Sequence, residues 1–274
     1  SIENLCLAGG VALNCVANAK ILNNCKFKRV WIQPAAGDAG GSLGAALLYW
    51  HDKLNNIRII NKKDSMKGSF LGTAYSDDEI LHDLDSVGAK YEKLDEESII
   101  LKSAKLISEG KIIGWFQGRM EFGPRALGAR SILADPRPIN IQENLNKKIK
   151  YRESFRPFAP AILESQKDNW FNIKSNSPYM LFVANLKDNK KILSKDNENT
   201  LGFDLLKIIR SNVPGVTHVD FSARVQTVND DYNNKFFELI NKFYQITNCP
   251  MLINTSFNVR GEPIVCSPVD AYQC

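Results

Sequence analysis

Two short apolar segments, residues 5–10 and 30–32, each run through a glycine-bearing turn into a stretch whose apolar residues recur at helical spacing. The first ends in Gly9-Gly10 and continues as a helical pattern through Leu22. The second passes through Pro34-Ala35-Ala36-Gly37-Asp38-Ala39-Gly40-Gly41-Ser42 and continues as a small-residue helix through Leu47. A strand, a glycine turn and a helix in immediate succession bury their apolar faces by stacking into layers, so the expected fold class is α/β. Gly40, Gly44 and Ala45 leave the second helix free to approach a neighbour or a ligand closely.

The same alternation continues downstream. Ser76-Asp77-Asp78-Glu79 reads as an N-cap and acidic first turn of a helix to about Val87. A second helix is expected over about 96–109, closed by Gly110, and Ile112 to Phe116 reads as a buried strand. Residues 135–140 read as a turn and 142–149 as a short helix, whereas the prolines of Pro157-Phe158-Ala159-Pro160 force an extended chain. Residues 187–199 read as a polar surface loop, 235–247 as a helix, Met251-Leu252-Ile253 as a strand, and 269–272 as the opening of a helix. The polar, Lys/Asn-rich stretch from Asn55 to Gly68 has no apolar period and reads as a linker between two domains. The chain starts within a strand pattern and ends within a helix pattern, the expectation for a piece of a longer protein.

At 274 residues, 44% of them hydrophobic, the chain can bury a sizeable core, and it has no apolar run near the roughly 18 residues needed to cross a bilayer. Its first residues lack a signal-peptide pattern, and the expected compartment is the cytoplasm. Six cysteines without a CxxC pair read as reduced thiols. His51, His82 and His218 are too scattered for a histidine metal pair.

The net charge of +5 is concentrated. From Lys111 to Arg156 there are ten basic and four acidic residues, a local +6 against −1 for the remainder. Such a segment expects an anionic partner, either a phosphate-bearing small molecule or nucleic acid. Arg119, Arg125, Arg130 and Arg156 are interleaved with Gly, Pro, Phe and Leu, which suggests a lined cleft more than a solvated face.

Four motifs carry candidate chemistry. The glycine loops at Gly9-Gly10 and Gly37–Gly41 offer backbone N–H groups to a phosphate or nucleoside, and Asp38 reads either as a ligand for a divalent metal or as a helix N-cap. Gly118-Arg119-Met120-Glu121-Phe122-Gly123-Pro124-Arg125-Ala126-Leu127-Gly128-Ala129-Arg130-Ser131 is a rigid loop from which guanidinium forks can be aimed at phosphate or carboxylate oxygens, with Glu121 expected to orient one of them. Lys147 to Pro160 alternates basic and aromatic residues, which suits a nucleotide or a single-stranded nucleic acid equally. Asn254-Thr255-Ser256-Phe257-Asn258 places polar groups at the end of an apolar strand, where open α/β sheets commonly bind ligands. Ser256 has no triad base in the sequence, which weakens a hydrolase reading.

Leu7–Leu22 with Pro34–Leu47, then Gly118–Ser131, Tyr151–Ile162, Ala223-Arg224-Val225-Gln226-Thr227-Val228 and Leu252–Asn258, in that order, resemble the O-carbamoyltransferases of antibiotic and nodulation-factor biosynthesis, over nearly the whole chain. The resemblance implies that residues 1–55 are the C-terminal part of an actin-like, sugar-kinase-like domain, 56–65 a linker, and 66–274 a YrdC-like domain. It implies that the YrdC-like domain makes carbamoyl adenylate from ATP and carbamoyl phosphate, and that the actin-like domain transfers the carbamoyl group to a hydroxylated small-molecule acceptor. Residue by residue, it implies catalytic roles for Arg125, Lys150 and Arg156 and binding roles for Arg119, Arg224, Asn254, Ser256, Gly9, Gly10 and Gly40. It further implies a divalent metal (Fe or Mg/Mn) in the complete protein, with Asp38 as a ligand. The family's histidine ligands and acceptor-binding residues belong to a part absent from this sequence, so adenylate formation without transfer is the expectation for residues 1–274. A membrane is not among the expected partners, nucleic acid is disfavoured, and a homodimer stays open. Two other readings stand beside this one: a nucleic-acid-binding YrdC-like module linked to tRNA modification, and a sugar-kinase fragment, which leaves residues 111–258 unexplained.

Overall fold

The computed structural model describes residues 2–61, 63–193 and 202–274. It is a mixed α/β structure. Strands β1 (Asn4–Leu7) and β2 (Arg29–Ile32) form a parallel pair, with helix α1 (Cys15–Asn24) crossing between them. A single turn of 3-10 helix, Gly10–Leu13, follows Gly9, whose φ of 92° is open to glycine and strained for any other residue. Asn14 caps α1 by accepting from the Ala17 amide at 3.1 Å. Helix α2 (Asp38–Leu48) then continues through a π turn at Tyr49–Lys53.

The larger sheet has seven strands in the order β3-β4-β9-β5-β8-β7-β6. They are β3 (Ile113–Phe116), β4 (Arg130–Ala134), β5 (Ala159–Leu163), β6 (Phe171–Asn172), β7 (Phe182–Leu186), β8 (Ser222–Val228) and β9 (Met251–Ser256). Every neighbouring pair is antiparallel except β5 with β8. The strand-helix alternation therefore predicts the class correctly, while the strand directions come from long returns that alternation does not encode.

Helices α3 (Asp77–Ser86) and α4 (Glu96–Ser108) begin where their caps require, at Ser76 with a capping box to Glu79 and at Asp95. The short α5 (Ile141–Asn144) widens into a π turn at Leu145–Ile149, and α6 (Lys167–Trp170) is a single turn. Helix α7 (Asn234–Thr247) carries Phe236, Leu239, Ile240 and Phe243, a helical stripe that is wholly buried, each side chain contributing roughly 1.5–3 kcal/mol. It packs beside α4 against β5 and β9. The last helix, α8 (Pro268–Gln273), starts from a capping box between Ser267 and Asp270.

Two readings shift. Asp38 is the first residue of α2 and Gly37 occupies the cap position, so Asp38 is not the N-cap. The expected 187–199 loop contains a 3-10 turn at Asp188–Lys190 and a bridge from Lys191 to Ser211, while its part from 194 onward lies outside the described residues. The first segment packs onto the large sheet: Ala12, Ile32 and Ala36 share an apolar cluster with Leu181 and Phe182, and the buried Asn18 Nδ2 donates to Ala12 O and Leu181 O at 2.8 and 3.1 Å. Among the described residues no helix is long and apolar enough to cross a membrane.

Candidate active site

Residues 117–129 connect β3 to β4, and the segment 118–131 folds around Glu121. Its buried carboxylate oxygen Oε1 accepts from the backbone amides of Leu127, Ala129 and Arg130 at 2.6, 2.8 and 3.4 Å. Glu121 thus shapes the loop backbone and orients no arginine by hydrogen bonding. The three arginines of the loop divide their work. Arg130 is fully buried, donates to the carbonyls of Gln117, Gly118 and Ala129 at 3.0–3.3 Å, and lies 3.5 Å from the centre of the Phe116 ring. Arg119 is exposed and donates to Gly72 O at 3.0 Å, beside a separate cavity of about 900 Å³. Arg125 alone reaches the end of β9.

There, Arg125, Arg152, Arg224, Asn254 and Ser256 line a cavity of about 140 Å³. The alternation of strand residues explains the convergence. On β8, Ser222, Arg224 and Gln226 share one face, and on β9, Leu252, Asn254 and Ser256 share one face. Strand β5 lies between them, with Ala159 opposite Asn254 and Ala161 opposite Gln226. Those two alanines leave room for the polar side chains to meet across it.

The cavity is strongly cationic. Burial lowers the pKa of Arg125 and brings that of Arg224 down to about 10, the latter also because the Arg125 guanidinium lies beside it. Arg152 is lowered by burial and by Arg156. Among the described residues no carboxylate pairs with Arg125 or Arg224, and the Nε of each is buried without a partner. Asn254 is 1% exposed and uses its Nδ2 on Ala126 O at 3.1 Å and Gln226 Oε1 at 2.7 Å. Its Oδ1 is left as a buried acceptor without a donor. Unmade donors and an unmade acceptor around one small cavity are a cost the fold carries unless a ligand completes them.

A second cavity of about 250 Å³ adjoins the first through Arg152 and Ser256 and is lined also by Lys150, Glu153, Arg156 and Asn258. Lys150 Nζ donates to Asn258 O and Oδ1 at 2.9 and 2.8 Å and contacts Ser256 O. Burial, with Arg152 nearby, pushes its pKa down to about 8. Arg156 is more exposed and its Nε donates to Glu153 at 2.8 Å. The buried Asn146 holds this segment in place through Ser154 O, Arg156 O and Arg152 Nε.

The structure therefore gathers Arg125, Lys150, Arg156, Arg224, Asn254 and Ser256 about two adjoining cavities. It leaves Arg119 elsewhere and Gly9, Gly10, Asp38 and Gly40 on the β1/β2 segment. Gly40 serves a close approach, because a Cβ there would lie 2.2 Å from Ala35 O. Asp38 is exposed, and among the described residues no three His, Cys, Asp or Glu side chains gather as a metal site. Two contributors were not singled out in sequence: Arg152, whose position in the basic-aromatic run was the available signal, and Gln226, which only the strand register brings to Asn254.

Residues 1–47 match the family model described as Carbamoyltransferase N-terminus, and residues 104–274 match Carbamoyltransferase C-terminus. The chain belongs to the carbamoyltransferase family. Among its relatives, the protein sll1178 of Synechocystis is 52% identical over 276 residues, covering all of this chain and 45% of the relative. Nodulation protein NolNO of Sinorhizobium fredii is 40% identical over 98% of the chain and 37% of its own length, and Nodulation protein NolO of Bradyrhizobium diazoefficiens 39% identical over 98% and 46%. The chain spans less than half the length of these curated relatives.

Proposed function

We propose that this chain carries the adenylate-forming part of an ATP-dependent O-carbamoyltransferase, whose complete protein passes the carbamoyl group to a hydroxyl of a small metabolite. The observation that carries this reading is the 140 Å³ cavity, where unpaired Arg125 and Arg224 meet the donor-less Oδ1 of Asn254. Carbamoyl phosphate has the complementary parts: a dianionic phosphate for the guanidinium groups and an NH2 for the amide oxygen. The cavity is below the roughly 300 Å³ at which drug-sized ligands are held, which leaves the adjoining cavity at Lys150, Arg152 and Arg156 for the phosphates of ATP.

For the atoms to balance, the carbamoyl–phosphate bond breaks with water to release orthophosphate, a carbamoyl oxygen bonds to the α-phosphorus of ATP, and pyrophosphate leaves. Negative charge builds on the departing groups, and fixed Arg and Lys side chains in a partly dry cleft stabilise it by several kcal/mol. Arg125 and Arg224 hold the phosphate end, Asn254 fixes the carbamoyl nitrogen, and Lys150 and Arg156 neutralise the polyphosphate. In this reading residues 1–55 are the end of an actin-like transfer domain and residues 66–274 a YrdC-like domain. Part of the basic segment is occupied within the chain, Arg130 on buried carbonyls and Arg137 on the buried Asp135, which favours a small anion over a nucleic-acid groove.

The test is carbamoyl-phosphate-dependent exchange of pyrophosphate into ATP. Exchange that falls by about 100-fold or more in both Arg125→Ala and Asn254→Ala supports the reading. A folded protein that shows no exchange, or exchange untouched by both substitutions, overturns it.

A further inference from the structure

The amide of Asn254 has a fixed orientation, and the residue that fixes it is Gln226. Gln226 is 3% exposed, donates Nε2 to Leu127 O at 2.9 Å, and thereby turns its Oε1 toward Asn254, whose Nδ2 donates to it at 2.7 Å. The second Nδ2 proton goes to Ala126 O at 3.1 Å. Both donors of Asn254 are spent, so the only polar group it can turn to a ligand is an acceptor. The arrangement spans three strands. Strands β8 and β9 flank β5 and lie about 9–10 Å apart, a gap that two amides bridge only because β5 presents Ala159 and Ala161 beneath them.

We infer that Gln226 is a specificity-determining positioning residue: by locking the Asn254 amide with Oδ1 inward, it makes the cavity select acyl phosphates bearing an NH2 over isosteres bearing a methyl group. The inference rests on the proposed carbamoyl phosphate site and deepens it. A methyl group leaves Oδ1 buried and unsatisfied, whereas an NH2 supplies the missing donor. Without Gln226 the amide is held by Ala126 O alone and can turn, offering Nδ2 to the ligand's carbonyl oxygen and erasing the distinction.

The experiment compares binding of carbamoyl phosphate and acetyl phosphate to the protein by calorimetry. The unmodified protein is expected to prefer carbamoyl phosphate by about tenfold or more. In Gln226→Leu that preference falls by roughly five- to tenfold, with acetyl phosphate affinity changed less than about twofold, and Gln226→Glu, which keeps an acceptor for Nδ2, retains most of it. Affinities for the two ligands that fall together in Gln226→Leu mark a merely structural role and overturn the inference, as does an unchanged ratio, and in either case the site reading stands. An unmodified protein that binds no carbamoyl phosphate overturns both. If Gln226→Leu does not fold, a crystal structure of the unmodified protein with carbamoyl phosphate decides: the ligand nitrogen within hydrogen-bond distance of Asn254 Oδ1 supports the inference, and Nδ2 turned to the ligand overturns it.

Discussion

The ammonium of Lys150 lies 2.8 Å from Oδ1 of Asn258, which ties the basic segment after α5 to the end of β9. Burial holds this lysine at about 8, below its ordinary 10.5. Between those values the unfolded chain keeps a proton that the folded chain has lost. The Lys150 contribution therefore makes the folded state more stable as pH rises through that window. Anion binding runs the other way, because the ammonium is what attracts a phosphate. The affinity for a polyphosphate is expected to fall as pH passes above about 8, while thermal stability gains from this group. In Lys150→Arg, which stays charged, both trends flatten. Calorimetry and thermal melts across pH 7–10 check this.

Arg224 is a half-buried cation with its Nε fully enclosed, it lies beside a second cation, Arg125, and no carboxylate of the described residues pairs with it. A site built this way trades stability for binding. Arg224→Met is expected to stabilise the ligand-free protein by about 1 kcal/mol or more, roughly 2–4 °C in melting temperature, by removing an uncompensated charge. The same substitution should weaken carbamoyl phosphate binding by at least about tenfold. A variant that melts lower and binds normally would show that Arg224 is a packing residue.

Glu121 predicts the opposite pattern. Its Oε1 gathers the amides of Leu127 and Ala129, which have no other acceptor among the described residues. Glu121→Ala strands those buried donors at roughly 1–3 kcal/mol each, so a loss of about 3 kcal/mol or more is expected by denaturant titration. Glu121→Gln keeps an acceptor oxygen and should lose less. Because the loop also carries Arg125, both variants are expected to weaken anion binding in proportion to the stability they lose.

The sequence made the secondary elements legible wherever a cap coincided with a periodic stripe, as at Ser76 for α3 and at Phe236, Leu239, Ile240 and Phe243 in α7. Strand β4 was hidden because Arg130 and Ser131 open it, and a fully buried arginine has no signature of its own before its carbonyl partners are known. The motifs located Arg125, Lys150, Arg156, Arg224, Asn254 and Ser256 one by one. What they could not supply is the division of labour among similar residues. Arg119, Arg125 and Arg130 look alike along the chain, and only the carbonyls of Gly72 and Ala129 separate two of them from the cavity. Gln226 was invisible as a functional residue for the same reason, since its meaning lies in the register of β8 against β5.

Two glycines of the same loop give a final prediction, because they differ in what surrounds them. Gly118 has φ 56° and open space where a Cβ would stand, so Gly118→Ala meets only the backbone cost of the left-handed region, about 1–2 kcal/mol. Gly128 has φ 108°, and a Cβ there would stand 2.2 Å from Cδ1 of Phe236, a fully buried ring in the first turn of α7. Its amide donates to Ser131 Oγ and its carbonyl accepts from Asn233, the cap of that helix, so the backbone cannot move aside without unseating α7. Gly128→Ala is expected to cost more than about 3 kcal/mol, the range in which core overpacking and backbone strain combine. Gly128→Ala paired with Phe236→Leu, which removes the obstructing ring, should recover part of that loss, whereas Gly118→Ala should be indifferent to Phe236→Leu. A double-mutant cycle on unfolding free energies reads the coupling, and additive costs for Gly128 and Phe236 would disprove the contact as the cause.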